Sequence, residues 1–199
     1  MAKEKITGAE ALMRSLEHEG VTTLFGYPGG AIMPVYDALY GYKDKLNHVL
    51  VRHEQGATHA AQGYARVSGK VGVALVTSGP GATNTITGIA DAMMDSTPIV
   101  VIAGQVGASL LGSDAFQECD LVGVTQPISK WAYQIRRPED VAWAVSRAFY
   151  IAKSGRLCWT LPRTRRLAWW TMNRRVRISF AVMCLYPRPT RGRYVRRLH

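Results

Sequence analysis

The sequence predicts an α/β fold: a mainly parallel sheet with helices on both faces, followed by an irregular basic tail. Three observations predict it. Short apolar runs alternate with stretches of helical period from residue 7 to residue 155. Two of those runs end in glycine-rich turns, Gly26-Tyr27-Pro28-Gly29-Gly30-Ala31 and Ser78-Gly79-Pro80-Gly81-Ala82-Thr83-Asn84, at strand ends of the kind where open α/β sheets hold ligands. The charge also divides at one point. Residues 1–155 hold 13 Lys+Arg and 14 Asp+Glu, whereas residues 156–199 hold 12 arginines and no acid.

Each element has its own signal. Thr7-Gly8-Ala9-Glu10 reads as a capping box, after which Ala9, Leu12, Met13 and Leu16 recur at helical spacing until Gly20. Val21–Phe25 predicts a short buried strand ending in the first glycine turn. Ile32–Tyr40 predicts a helix with Pro34 in its first turn, where proline is tolerated. Asn47–Val51 predicts the next strand, and the helix carrying Glu54 starts directly after it. Val71–Thr77 is the clearest strand, and the helix beyond Gly79-Pro80-Gly81 is expected to bury Ile86, Ile89, Ala90 and Met93. Pro98–Ala103 is another apolar run, ending at Gly104 and Gln105. Pro138-Glu139-Asp140 opens the last helix, with Val141, Ala144, Val145, Ala148 and Phe149 on its core face. There is no internal repeat.

The formal charge of +11 belongs wholly to the arginine-rich end, so the first segment is a near-neutral globular sequence with no specific pull toward nucleic acid. Met1–Lys5 is charged and is followed by an amphipathic pattern rather than an apolar leader. No run approaches the roughly 20 apolar residues of a membrane span. Cys119, Cys158 and Cys184 are scattered, without metal-ligand spacing or a disulfide framework, which suits a reducing, cytoplasmic setting. His53 and His59 do not share a helix face, so no metal site is expected from them; His18 and His48 read as surface residues.

Arg52-His53-Glu54-Gln55-Gly56-Ala57 stands between the two glycine turns. An acid followed by Gly56, Ala57, Ala60 and Ala61 has little polar company on its own helix. Such surroundings favour the neutral form of a carboxyl and ready it for proton transfer. By position alone it could equally be an acid placed at a helix start by the macrodipole. Gly29 and Gly30 read either as turn residues or as positions where the backbone approaches a ligand. Thr77, Pro80 and Asn84 fit a strand end and a helix cap as well as a site.

GYPGGAIMPVYDAL (Gly26–Leu39), RHEQGA (Arg52–Ala57), TSGPGATN (Thr77–Asn84), GQV centred on Gln105 and DAFQE (Asp114–Glu118) occur together and in order. In these five motifs the chain resembles acetolactate synthase (acetohydroxyacid synthase) catalytic subunits, which are thiamine-diphosphate enzymes of isoleucine and valine biosynthesis. The resemblance runs from about Glu4 to Arg156. It implies that Glu54 is catalytic, hydrogen-bonding a ring nitrogen of the aminopyrimidine and so promoting loss of the thiazolium proton. It implies that Tyr27, Pro28, Gly29, Gly30, Thr77, Pro80, Asn84, Gln105 and Arg156 hold cofactors, thiamine diphosphate with Mg2+ and FAD. It implies that Ala31, Phe116, Gln117 and Lys130 stand near substrate. Pyruvate and 2-oxobutyrate are the implied substrates, and a homodimer or tetramer with a regulatory small subunit the implied assembly. Another thiamine-diphosphate enzyme, of pyruvate oxidase or 2-oxo-acid decarboxylase type, is the alternative. The acidic Gly-Asp-Gly stretch of the family's magnesium motif has no counterpart in the 199 residues, so this chain alone is expected to be inactive.

Beyond Arg156 the resemblance stops. If each true codon began at the last base of the codon used here, Cys158–Trp159 would encode Leu and Trp159–Thr160 Asp, close to the family's next strand. A frameshift near Arg156 is therefore the expected origin of the tail, a basic nucleic-acid-binding arm the alternative. The expected organisation is a cofactor domain over 1–156 and a disordered, dispensable arginine-rich tail over 157–199.

Overall fold

The computed structural model describes residues 5–154, 171–172 and 179–184. At its centre six strands lie in the order β3-β2-β4-β5-β8-β6. They are β2 (Thr23–Gly26), β3 (Asn47–Leu50), β4 (Gly72–Val76), β5 (Ile99–Gln105), β6 (Trp131–Ile135) and β8 (Ser179–Cys184). Strands β2 to β5 pair in parallel, which is the α/β arrangement the sequence predicts. A separate parallel pair joins β1 (Lys5–Ile6) to β7 (Thr171–Met172).

Every residue of β4 and β5 is buried, the pattern of parallel strands covered on both faces. Alternation then divides the side chains between two cores. Val73, Leu75, Val100 and Ile102 meet Leu12, Met13 and Leu16 of α1 (Gly8–His18), Val35 and Leu39 of α2 (Met33–Tyr40), and Val145 and Phe149 of α7 (Val141–Lys153). Ala74, Val76, Val101 and Ala103 meet Ala57 and Ala61 of α3 (Glu54–Ser68), Ala82 of α4 (Pro80–Thr83), Ile89 and Ala92 of α5 (Ile86–Met94), and Leu121 of α6 (Leu121–Thr125). The second core is built mostly of small side chains, so its helices ride close to the sheet.

The cap on α1 forms as expected: Thr7 Oγ1 accepts the Glu10 N–H at 3.1 Å. The Glu10 carboxylate does not turn back to complete a capping box. It accepts instead from Arg14 Nε at 2.8 Å and from the Tyr42 hydroxyl at 2.6 Å, because packing of α1 against the end of α2 brings Tyr42 over it. The helix beyond the second glycine turn is broken into α4 and α5. Its buried face is Gly88, Ile89 and Ala92, whereas Ile86, Ala90 and Met93 are only partly covered. His48 is half-buried rather than a surface residue; its ring packs edge-on against Tyr36 at 5.2 Å.

The tail differs most from expectation. Residues 171–172 and 179–184 fall in the stretch expected to be irregular, and both are paired strands. β8 runs antiparallel between β5 and β6, with Val100 and Trp131 both in register with Cys184. Two parallel strands one strand-width apart present unpaired N–H and C=O groups to each other, and a strand laid between them satisfies both rows. The other expectations for the tail, Arg156 among them, lie outside the described residues. Among the described residues no helix is long and apolar enough to cross a membrane.

Candidate functional site

The carboxyl ends of β2, β4 and β5 lead into three loops that meet. The first is the turn Gly26–Ile32, tied down where the Tyr27 N–H donates to the Leu75 carbonyl at 3.1 Å. The Tyr36 hydroxyl reaches the same carbonyl at 3.4 Å and lies 3.2 Å from His48 Nε2. Burial raises the Tyr36 hydroxyl well above its usual range and lowers the His48 imidazole. Past Gly29 the chain folds over the end of β5, where Ala31 packs on Gly104.

The second loop follows β4. Thr77 is its hub, buried to 8% exposure. A Cβ at Gly29 would stand 2.6 Å from the Thr77 side chain, and one at Gly81 would stand 2.6 Å from Thr77 Cγ2 and 3.0 Å from Glu54 Oε1. Both positions therefore require glycine if the two turns are to close on Thr77. Gly81→Ala is expected to lose about 1–3 kcal/mol through overpacking of a buried β-branched neighbour, read as a fall in the denaturant midpoint at unchanged m-value. An unchanged midpoint would show that the turn yields freely.

Glu54 opens α3 between these turns and is 7% exposed. Its placement follows from the sequence: His53 is the extended N-cap, its ring accepting the Gln55 N–H at 3.2 Å, and the small residues after Glu54 let α3 settle onto β4. Glu54 Oε2 accepts from Asn84 Nδ2 at 2.9 Å, while Oε1 faces Gly81 and accepts no hydrogen bond from the described residues. One oxygen is thus held and the other free. Thr77 Oγ1 and Ser78 Oγ are buried and also have no partner among the described residues. Buried hydroxyls left so usually mark a place for a ligand or water.

The third loop joins β5 to α6. Gln105 Nε2 donates to the Cys119 carbonyl at 2.8 Å and its Oε1 accepts the Val106 N–H at 3.0 Å. Gln117 sets its backbone against Gly79, while Phe116 is 88% exposed. Burial, and then Asp120, raise the Cys119 thiol.

The structure therefore brings together Gly29, Ala31, Glu54, Thr77, Asn84, Gln105 and Gln117, with Tyr27, Pro28, Gly30, Pro80 and Phe116 on the same rims. Lys130 is not among them. It precedes β6 at the amino edge of the sheet, the opposite edge, where its Nζ donates to the Ser154 and Ile151 carbonyls at 2.7 and 3.2 Å and caps α7. Arg156 lies outside the described residues. Sequence reasoning left out Ser78, whose motif it quotes, and Glu118, the last residue of Asp114–Glu118. Among the described residues no group of three His, Cys, Asp or Glu side chains is placed to hold a metal ion.

The strand ends of this α/β domain thus gather a buried acid with one free oxygen, two unpartnered hydroxyls and glycine-floored turns. The chain belongs to the thiamine pyrophosphate enzymes: the family described as the N-terminal TPP binding domain matches residues 6–124. Curated relatives match about three quarters of the chain. An acetolactate synthase of Mycobacterium bovis is 58% identical over 156 residues, which is 78% of this chain and 25% of that protein. Acetolactate synthase large subunits of Corynebacterium glutamicum and Lactococcus lactis are 56% and 55% identical over 155 and 150 residues, covering 25% and 26% of those proteins. The chain spans about a quarter of the length of the relatives it matches.

Proposed function

We propose that residues 5–154 form the pyrimidine-holding half of a thiamine-diphosphate site in an acetolactate synthase catalytic subunit. The whole enzyme would decarboxylate pyruvate and join the remainder to a second pyruvate or to 2-oxobutyrate, in the cytoplasm, with a regulatory subunit. The observation that carries this reading is Glu54: buried, fixed through one oxygen by Asn84, and open through the other toward Gly81.

The donor set fits the pyrimidine end of the cofactor. Glu54 Oε1 is the acceptor or proton partner for a ring nitrogen, and Thr77 Oγ1 is an unspent polar atom beside it. Gly29 and Gly30 offer bare backbone, and a Cβ at Gly30 would meet nothing within 4 Å. Thiamine diphosphate supplies, when bound, the electron sink for decarboxylation. Glu54 moves the proton that readies it, and Asn84 keeps the carboxylate turned the right way. Gln105 is spent on the backbone of the third loop, so it acts by placing Phe116 and Gln117 beside substrate. Lys130 and Arg156 keep their implied roles toward substrate and FAD only in an assembly that brings other elements to them. Magnesium and the diphosphate fall to residues outside this set.

The test is a fusion of residues 1–156, in frame, to the remaining domains of an acetolactate synthase relative. The fusion is expected to make acetolactate from pyruvate with thiamine diphosphate and magnesium, and the isolated 199-residue chain to make none and show no calorimetric binding of the cofactor. A folded, cofactor-loaded fusion without product would overturn the synthase reading. Tight binding by the isolated chain would overturn the half-site reading.

A further inference from the structure

Between β5 and α6 three residues adopt left-handed backbone: Gly112 at φ 81°, Asp114 at φ 53° and Gln117 at φ 60°. For the two that are not glycine this costs roughly 1–2 kcal/mol each. The compensating contacts come from one side chain. Glu118 Oε1 accepts the Gly112 N–H at 2.5 Å, and Oε2 accepts the Ala115 N–H at 3.0 Å. The Glu118 N–H in turn donates to the Ala115 carbonyl at 2.8 Å. Each neighbour of Glu118 is anchored to the site: Gln117 lies against Gly79, and Cys119 accepts from Gln105. The exposed Phe116 ring therefore stands on a strained turn fastened at both ends.

We propose that Glu118 is a positioning residue, a carboxylate latch that holds the Asp114–Gln117 turn and so sets where Phe116 and Gln117 stand over the site. Its meaning for catalysis rests on the thiamine-site reading; the latch itself does not. A carboxylate is needed because both oxygens accept from backbone, and an amide would turn one N–H2 toward an N–H. The two backbone donors, Gly112 first, hold the Glu118 carboxyl below the usual carboxylate range. The latch is accordingly complete above the unfolded carboxyl range and is lost as pH falls through the folded value. Other titrating groups on the loop are Asp114, Cys119 and Asp120, whereas the facing Gly79 and Gln105 carry no charge.

Amide exchange measured by NMR on the full chain and on Glu118→Gln decides the matter. At neutral pH the Gly112 and Ala115 amides should exchange roughly tenfold slower than their intrinsic rates. On acidification that protection should fade while Val73–Val76 and Val100–Ala103 stay protected. Glu118→Gln should lose it at one of the two amides at every pH, because its single carbonyl oxygen can accept from only one of them. Protection that is independent of pH, or equal in the variant, overturns the proposal. If the variant fails to fold, the pH profile of the unmodified chain still decides. No cofactor enters the measurement, so its failure is separate from failure of the fusion assay.

Discussion

Glu54→Gln in the active fusion is expected to lower turnover by ~10²–10⁴-fold, the range that positioned acid–base groups contribute. Glutamine keeps the shape and can still accept from Asn84, so the turn around Gly81 stays closed and the fold unchanged. What it cannot do is take or give the proton at the free oxygen. The measurement is kcat for acetolactate formation alongside cofactor affinity and the thermal midpoint. A loss confined to kcat is the expected signature; a variant retaining near-full turnover would strip Glu54 of its role.

Ending the chain after Ser154 is expected to remove about 3 kcal/mol or more of stability. β8 pairs with β5 from Val100 to Gln105 and with β6 from Trp131 to Ile135, so its loss leaves β6 without a backbone partner among the described residues. Ile135, fully buried on β6, would lose the strand that holds it in place. Chemical denaturation of the two chain lengths reads the difference. Equal stabilities would return residues 179–184 to the dispensable tail that composition suggests.

The parallel strands were legible because each is an apolar run ended by glycine, and burial on both faces needs no alternation to be seen. β6 was not: Trp-Ala-Tyr-Gln-Ile is mostly half-buried, and its small Ala132 and polar Gln134 between large side chains give no clear strand signal. β8 is apolar, Ser-Phe-Ala-Val-Met-Cys, but it sits among arginines whose charge dominates any window drawn around it. The site divides in the same way. Glu54 was legible because the small residues that follow it on α3, Gly56, Ala57, Ala60 and Ala61, disclose its burial. Lys130 stands apart from the cluster because its position depends on the direction of β6, which no local feature reveals. Glu118 was overlooked because its work depends on left-handed backbone at Asp114 and Gln117, and only the aspartate is a residue with any leaning that way.

The place of β8 also sets an order of events. β5 and β6 are synthesised long before Ser179 emerges, yet neither can pair with the other in the finished sheet, because β8 lies between them. Until then a gap one strand wide stands open beside a strand whose every residue is buried in the finished sheet. Contacts as distant in sequence as Val100 with Cys184 close slowly, since the loop entropy must be lost before they form. During that interval the open edge of β5 is a template for any extended apolar chain, a second copy of this one included. Yield on refolding should therefore fall with protein concentration for reasons that lie in the timing of assembly rather than in the stability of the finished domain.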